Sequence, residues 1–274
     1  MTRRQLLAGV GWCLAAVAVQ AGSDPRRQDL LLEEQISRAQ KLSLKAGQTY
    51  QKWLNGALHT KPAESQVKEC LSELGAVQQR AIQLASTTSR GAIAQWGRLQ
   101  KQELNFFLRE FVKRTNQAEL QKRWQQAVDI QAQLLEARRR QLPALLKPPV
   151  PSGLLAYYQW KSAILTLLQA ELELAREVAE AFDKRDPDSG MARKSVSLYQ
   201  KAMAMRPPAA CVRAQKLYVA RFESLGALCG TVLEAIAKMD QDTVSNLQVN
   251  EAIYREKAAA SDDASLAALK GLFH

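Results

Sequence analysis

Residues 154–184 read LLAYYQWKSAILTLLQAELELAREVAEAFDK, and this stretch decides the fold. Tyr157, Ile164, Leu168, Leu172, Ala175, Ala179 and Phe182 recur at intervals of three, four and seven. That is one stripe of an α-helix. Trp160, Leu167, Leu174 and Ala181 repeat every seven residues along a second stripe. A helix apolar on two faces is buried between neighbours, so this segment is expected at the centre of a helical core. Glu173, Glu177 and Glu180 make an acidic stripe that Arg176 and Lys184 can pair on a solvated face.

Working outward, the same period recurs. Asp24-Pro25 is a helix start, followed by Ala39, Leu42, Ala46, Tyr50, Trp53 and Ala57 on one face. Val67, Cys70, Leu71, Leu74, Val77, Ala81 and Leu84 predict a second helix, about Ala63 to Thr87. Ile93, Trp96, Leu104, Phe107, Leu108 and Phe111 predict a third. Leu120, Trp124, Ala127, Leu134 and Leu135 mark a fourth, which Pro143 bends or ends. Arg138-Arg139-Arg140 falls in its last turns, where positive charge suits the helix dipole. Beyond the central helix, a short helix with Val196, Tyr199 and Met203 inward precedes the break Arg206-Pro207-Pro208. A long helix from about Ala209 to Met239 follows. Asp242-Thr243 suggests one more short helix, and Leu266, Leu269 and Leu272 a last frayed turn. No run alternates β-branched and polar residues between turn signals, so no strand is expected. The fold class is therefore all-α: seven to nine long amphipathic helices, packed as an antiparallel bundle or bundles, with coiled-coil-like heptads and no sheet.

Lys147-Pro-Pro-Val-Pro-Ser-Gly153 is the clearest linker, stiff and extended. It divides an N-terminal bundle at 22–147 from a C-terminal bundle at 154–274, with 148–153 as spacer. A single elongated bundle through both halves is the alternative.

Residues 1–21 have the layout of a signal peptide: basic Arg3-Arg4, an uncharged run from Leu6 to Val19, and a small-residue exit at Ala21. Thr2-Arg3-Arg4-Gln5-Leu6-Leu7 resembles the bacterial twin-arginine export signal, while ordinary Sec export stays open. Cleavage near Ala21 would leave a periplasmic or secreted chain with no transmembrane segment.

Composition argues for binding rather than catalysis. The chain of 274 residues carries 38 basic and 27 acidic side chains, a net +11, or +9 once Arg3 and Arg4 are removed with the leader. Its two histidines, His59 and His274, have no ligand spacing around them, and Cys-x-x-Cys, Gly-x-Ser-x-Gly and phosphate-loop patterns are absent. No metal and no cofactor is expected. Cys211 and Cys229 on one helix would stand roughly 27 Å apart at 1.5 Å per residue, so any internal disulfide must use Cys70. Three small buried apolar residues are the simpler reading.

One charge pattern stands out. Between Ser189 and Phe222 lie Arg193, Lys194, Lys201, Arg206, Arg213, Lys216 and Arg221, with no acidic residue. An anionic partner, either an envelope protein or an anionic surface, would relieve their repulsion. Packing beside the acidic C-terminal part would do so too. Nucleic acid fits poorly with export and with the lack of stacking aromatics among these charges. The function expected is an exported helical protein acting by binding, as an adaptor, scaffold or chaperone-like factor of the bacterial envelope, with self-association open. The alternative is a helical small-molecule or lipid-binding protein with an apolar pocket, which Trp53, Trp96, Trp124, Tyr157, Tyr158, Trp160, Tyr199 and Tyr218 would help to line, although such residues more often fill the core.

Overall fold

The computed structural model describes residues 24–54, 56–112, 117–184, 186, 190–238 and 241–273. The leader at 1–21 lies outside them, as do the side chains of Leu120, Trp124, Ala127, Ala179 and Phe182. The described residues form eight α-helices and no strand, an all-α fold within the expected range. They are α1 (Pro25–Leu54), α2 (Thr60–Leu84), α3 (Arg90–Glu110), α4 (Gln117–Leu145), α5 (Ser152–Lys184), α6 (Met191–Ala204), α7 (Val212–Lys238) and α8 (Gln241–Gly271). A single 3-10 turn, Ala209–Cys211, precedes α7. None of these helices is long and apolar enough to cross a membrane.

The start of α1 follows the expected chemistry. Pro25 occupies the first turn, and Asp24 Oδ1 accepts the Arg26 amide at 3.0 Å, filling one otherwise orphaned donor. Pro143 sits in the last turn of α4 and the helix runs only to Leu145. There, Arg26 takes over the exposed carbonyls. Its Nε donates to Leu145 O at 2.9 Å and its Nη2 to Lys147 O at 2.6 Å. The Pro-rich segment is thus pinned to α1 at its entry.

Buried apolar residues gather in two clusters. The first joins α1, α2 and α3 through Leu32, Ala39, Val67, Leu74, Ile93, Trp96 and Leu104, with Leu134 of α4 added. The second joins the end of α4 to α5, α6, α7 and α8 through Leu145, Tyr157, Ile164, Leu174, Tyr218, Phe222 and Leu269. Tyr157, Ile164 and Leu168 of the first stripe of α5 and Trp160, Leu167, Leu174 and Ala181 of the second are buried, Leu172 and Ala175 are half-buried, and the neighbours of α5 are α4, α6 and α7. Burying one such Leu or Phe side chain contributes roughly 1.5–3 kcal/mol. The two groups are also tied directly, because the first helix lies against the last. Ser37 Oγ donates to Asp263 at 2.7 Å, Lys41 pairs with Asp263 at 2.8 Å, and Lys270 pairs with Glu34 at 2.7 Å.

Two elements differ from the sequence-based expectation. The C-terminal part is one helix of 31 residues, α8, rather than a short helix and a frayed turn. Its inward positions include Ser261, Ser265 and Leu269, spaced by four and at most 1% exposed. Serine reads as polar in a periodicity scan. Ser261 Oγ, however, donates back to Ala258 O at 2.8 Å, so the residue packs as a small side chain. In α6 the inward face is Met191, Ser195, Leu198 and Ala202, while Val196 and Met203 face solvent. Small residues at 195 and 202 let α7 approach closely and turn the larger side chains outward. Cys70, Cys211 and Cys229 are buried free thiols in these cores.

Candidate functional site

The seven basic residues singled out above do not stay together. Arg193, Lys194, Lys201, Arg206, Arg213 and Lys216 are exposed on α6, the turn after it and the start of α7. Lys194 pairs with Glu177 across to α5. Arg221 leaves the set. It is 9% exposed and grips Glu171 of α5 with two hydrogen bonds, Nε to Oε1 at 2.9 Å and Nη2 to Oε2 at 2.5 Å. Asp262 of α8 stands 3.5 Å from its Nη1. These counter-charges are far off in sequence, which is why a local scan leaves Arg221 unpaired. Arg138 departs from its expected dipole role in the same way. It reaches into α1, pairing with Asp29 at 3.0 Å and with Glu33. In the acidic stripe of α5 Glu180 pairs with Lys184 at 3.2 Å and Glu177 with Lys194, whereas Arg176 turns away from the stripe to Asp129 of α4 at 2.9 Å.

Between the two helix groups is a cleft of about 410 Å³, walled by α1, α3, α4, α5, α7 and α8. Ile36, Leu44, Leu99, Leu134, Leu165 and Leu168 make its apolar lining. Polar groups enter at fixed points. Beside the cleft rather than in its lining, Tyr158 Oη donates to Asp29 Oδ2 at 3.1 Å, and Asp29 in turn pairs with Arg138. Burial pushes the Asp29 carboxyl up despite the nearby Arg138. Burial works against the Glu33 carboxylate too, but the fields of Arg138 and Lys161 outweigh it and hold Glu33 below the usual range. Burial likewise raises the Tyr157 and Tyr254 phenols, so both are neutral donors at neutral pH.

Lys161 is the exception among the cleft cations. Its Nζ donates to Ser265 Oγ at 3.0 Å, and that hydroxyl also bonds Tyr157 Oη at 3.1 Å. Among the described residues no carboxylate lies within 4.0 Å of it. Arg138, Arg221 and Arg255 each have one, the last through Glu251 at 2.6 Å. The lining also holds unsatisfied polar atoms. Ser43 Oγ on α1 and Gln100 Oε1 on α3 are buried with no hydrogen-bond partner among the described residues, and Gln100 is 5% exposed. Leaving such a group unpaired costs about 1–3 kcal/mol.

A second, wider compartment of about 820 Å³ adjoins the first between α1, α3 and α8. Tyr50, Phe107, Val249 and Ala252 line it, and it shares Leu44, Glu103 and Arg255 with the inner cleft. The two compartments thus adjoin through Leu44, Glu103 and Arg255, with Lys161 in the inner one and Tyr50 and Phe107 in the outer one. Of the aromatics expected to line a pocket, Tyr157 lines the inner cleft, whereas Trp96, Trp160 and Tyr218 are core residues outside its lining. Lys161 had a signal as well, being the only charge between Leu154 and Ala170. Ser43, Gln100 and Ser265 had none, since each is one polar residue among many on its helix. No metal-binding cluster of His, Cys, Asp or Glu occurs among the described residues.

No protein-family model matches the chain, and no curated protein or solved structure is significantly similar to it.

Proposed function

We propose that this protein works by binding a small amphipathic molecule with an acidic group, held in the cleft between its two helix groups. The observation that carries this reading is Lys161, which has no carboxylate within 4.0 Å among the described residues and faces a wall of Ile36, Leu44, Leu165 and Leu168, while Glu33, which feels its field, is already held by Arg138. An incoming carboxylate or phosphate would complete its charge, while the apolar tail lies along Leu44, Leu165 and Leu168. Gln100 Oε1 is a spare acceptor for a ligand hydroxyl or amine. A volume of about 410 Å³ is within the roughly 300–1,000 Å³ of small-molecule sites. The leader supports a place outside the cytoplasm, periplasmic or secreted, where an apolar acid crossing water needs a carrier.

The test is titration with a fluorescent long-chain fatty acid and, in competition, its non-fluorescent parent and methyl ester. A bond to a charged partner is worth about 1.5–3 kcal/mol, so Lys161→Met is expected to weaken the acid roughly 10- to 150-fold. The ester should bind the parent protein and the variant alike. Equal binding of the acid by both proteins, or no binding of any amphiphile, refutes the reading.

The basic stretch favours a second engagement, with an envelope protein or an anionic surface. Arg193, Lys201, Arg206, Arg213 and Lys216 are exposed, with no carboxylate within 4.0 Å among the described residues. An adaptor role would be exercised through this face.

A further inference from the structure

We infer that the turn between α6 and α7 is a docking surface for an anionic lipid bilayer. This rests on the reading that the basic stretch meets an anionic partner, and not on the contents of the cleft. Around the turn stand Lys201, Arg206, Arg213 and Lys216, all exposed. From Gly190 to Phe222 the chain has no acidic residue. Apolar side chains are exposed among these charges: Met203 at 58%, Val212 at 42% and, nearer the start of α6, Val196 at 52%. Isolated apolar residues on a surface are ordinary. Here Met203 and Val212 lie in the same two helix ends as cations that have no carboxylate within 4.0 Å among the described residues.

The turn is rigid. Gln215 on α7 donates through Nε2 to Ala202 O at 2.5 Å, closing the end of α6. Trp160 of α5 holds the other end of that amide, donating to Gln215 Oε1 at 2.8 Å. Cys211 anchors the 3-10 turn in the core with no exposure. The charges and apolar tips are therefore presented without an ordering step. A bilayer interface suits this mixture, since cations meet the phosphates while a Met and a Val reach the acyl boundary. An acidic protein face without matching apolar pockets would satisfy the charges and leave the apolar tips wet. Arg221 has no part, because Glu171 already neutralises it.

The experiment is co-sedimentation of the protein isolated from cells, its N-terminus fixed by mass spectrometry so that a retained leader is recognised. The vesicles are phosphatidylcholine alone, and equal parts phosphatidylcholine and phosphatidylglycerol. Each basic side chain near such a surface is worth about fivefold in partition. Lys201→Gln, Arg213→Gln and Lys216→Gln together should lower binding to the phosphatidylglycerol vesicles roughly a hundredfold, with unchanged circular dichroism. Met203→Ser with Val212→Ser should weaken the binding that survives high salt. Binding should fall as the Debye length shrinks from ~10 Å at 0.1 M to ~3 Å at 1 M salt. Equal binding to both vesicle types, equal binding by parent and triple variant, or capture only by lipid-free envelope protein would overturn the inference. Lys161→Met should leave vesicle binding unchanged. A protein that holds the fatty acid but ignores vesicles sinks this inference alone. One that binds vesicles but no amphiphile sinks the cleft alone.

Discussion

Replacing Arg221 by Met tests whether the long helices are locked by buried charge. Arg221 spans three elements, with two bonds to Glu171 on α5 and its remaining nitrogen 3.5 Å from Ser261 and Asp262 on α8. The side chains of the main pair are 11% and 3% exposed, so solvent screens them little. In the variant Asp262 keeps the Tyr218 hydroxyl at 2.9 Å, but Glu171 loses the Arg221 counter-charge. Removing one partner of a buried pair costs about 3–5 kcal/mol. A separate bound agrees. An isolated carboxylate escapes by taking up a proton, and for an ordinary glutamate at pH 7 this costs about 2.7 units at 1.36 kcal/mol each, or about 3.7 kcal/mol. We expect a loss of about 3–4 kcal/mol at pH 7. At roughly 2–4 °C per kcal/mol this is about 6–16 °C in Tm. The assay is urea unfolding of the parent, Arg221→Met, Glu171→Met and the double variant, at pH 7. The double variant should recover most of the loss, because no buried charge is stranded. A loss under about 1 kcal/mol for Arg221→Met, or strict additivity in the cycle, would show that the pair carries no buried coupling.

Further outcomes are expected. Gly97→Ala should destabilise by about 1–2 kcal/mol, because the added methyl would stand 3.1 Å from Gln78 Cδ, and Gln78 is held by its bond to Gly97 O at 2.6 Å. Gly75→Ala, whose methyl would meet only Lys101 Nζ at 3.9 Å, should stabilise by roughly 0.5–1 kcal/mol in the same melting experiment. Burial raises the Cys211 and Cys229 thiols to about 11. Their contribution is fully present below the ordinary thiol value near 8.5 and is lost as pH rises towards the folded values. Between pH 8.5 and 10 it should fall by about 1.4 kcal/mol per unit for each thiol. Cys211→Ala with Cys229→Ala should flatten that slope, read from urea midpoints. The same burial predicts that Ellman's reagent labels these thiols in the folded protein only as fast as it opens.

The sequence by itself determined the helical class, because a period of 3.6 in apolar residues leaves no other way to bury them. It placed most helix boundaries within a few residues, since Pro and Gly act on the local backbone. It located the inward face wherever that face is made of Leu, Ile, Val and aromatics, as in α2 and α5. Tertiary structure decided the rest. The inner faces of α6 and α8 are built partly on Ser195, Ser261 and Ser265, whose small size sets the packing distance; the Ser195 and Ser261 hydroxyls bond within their own helices, while Ser265 meets Tyr157 and Lys161 of α5. Those residues look polar until a neighbouring helix is present. The fate of each charge was also undecided. Arg221 and Lys216 are alike in a basic run, yet one is buried on Glu171 and the other faces solvent. Their positions around α7 and the approach of α5 and α8 make that difference. The cleft is the extreme case. Lys161, Ser265, Gln100 and Ser43 come from four helices of both groups and meet only when the first helix closes against the last. A local pattern reports the face of one helix, while a site between helices depends on pairings far apart in the chain, and those are fixed by the summed packing of the two cores.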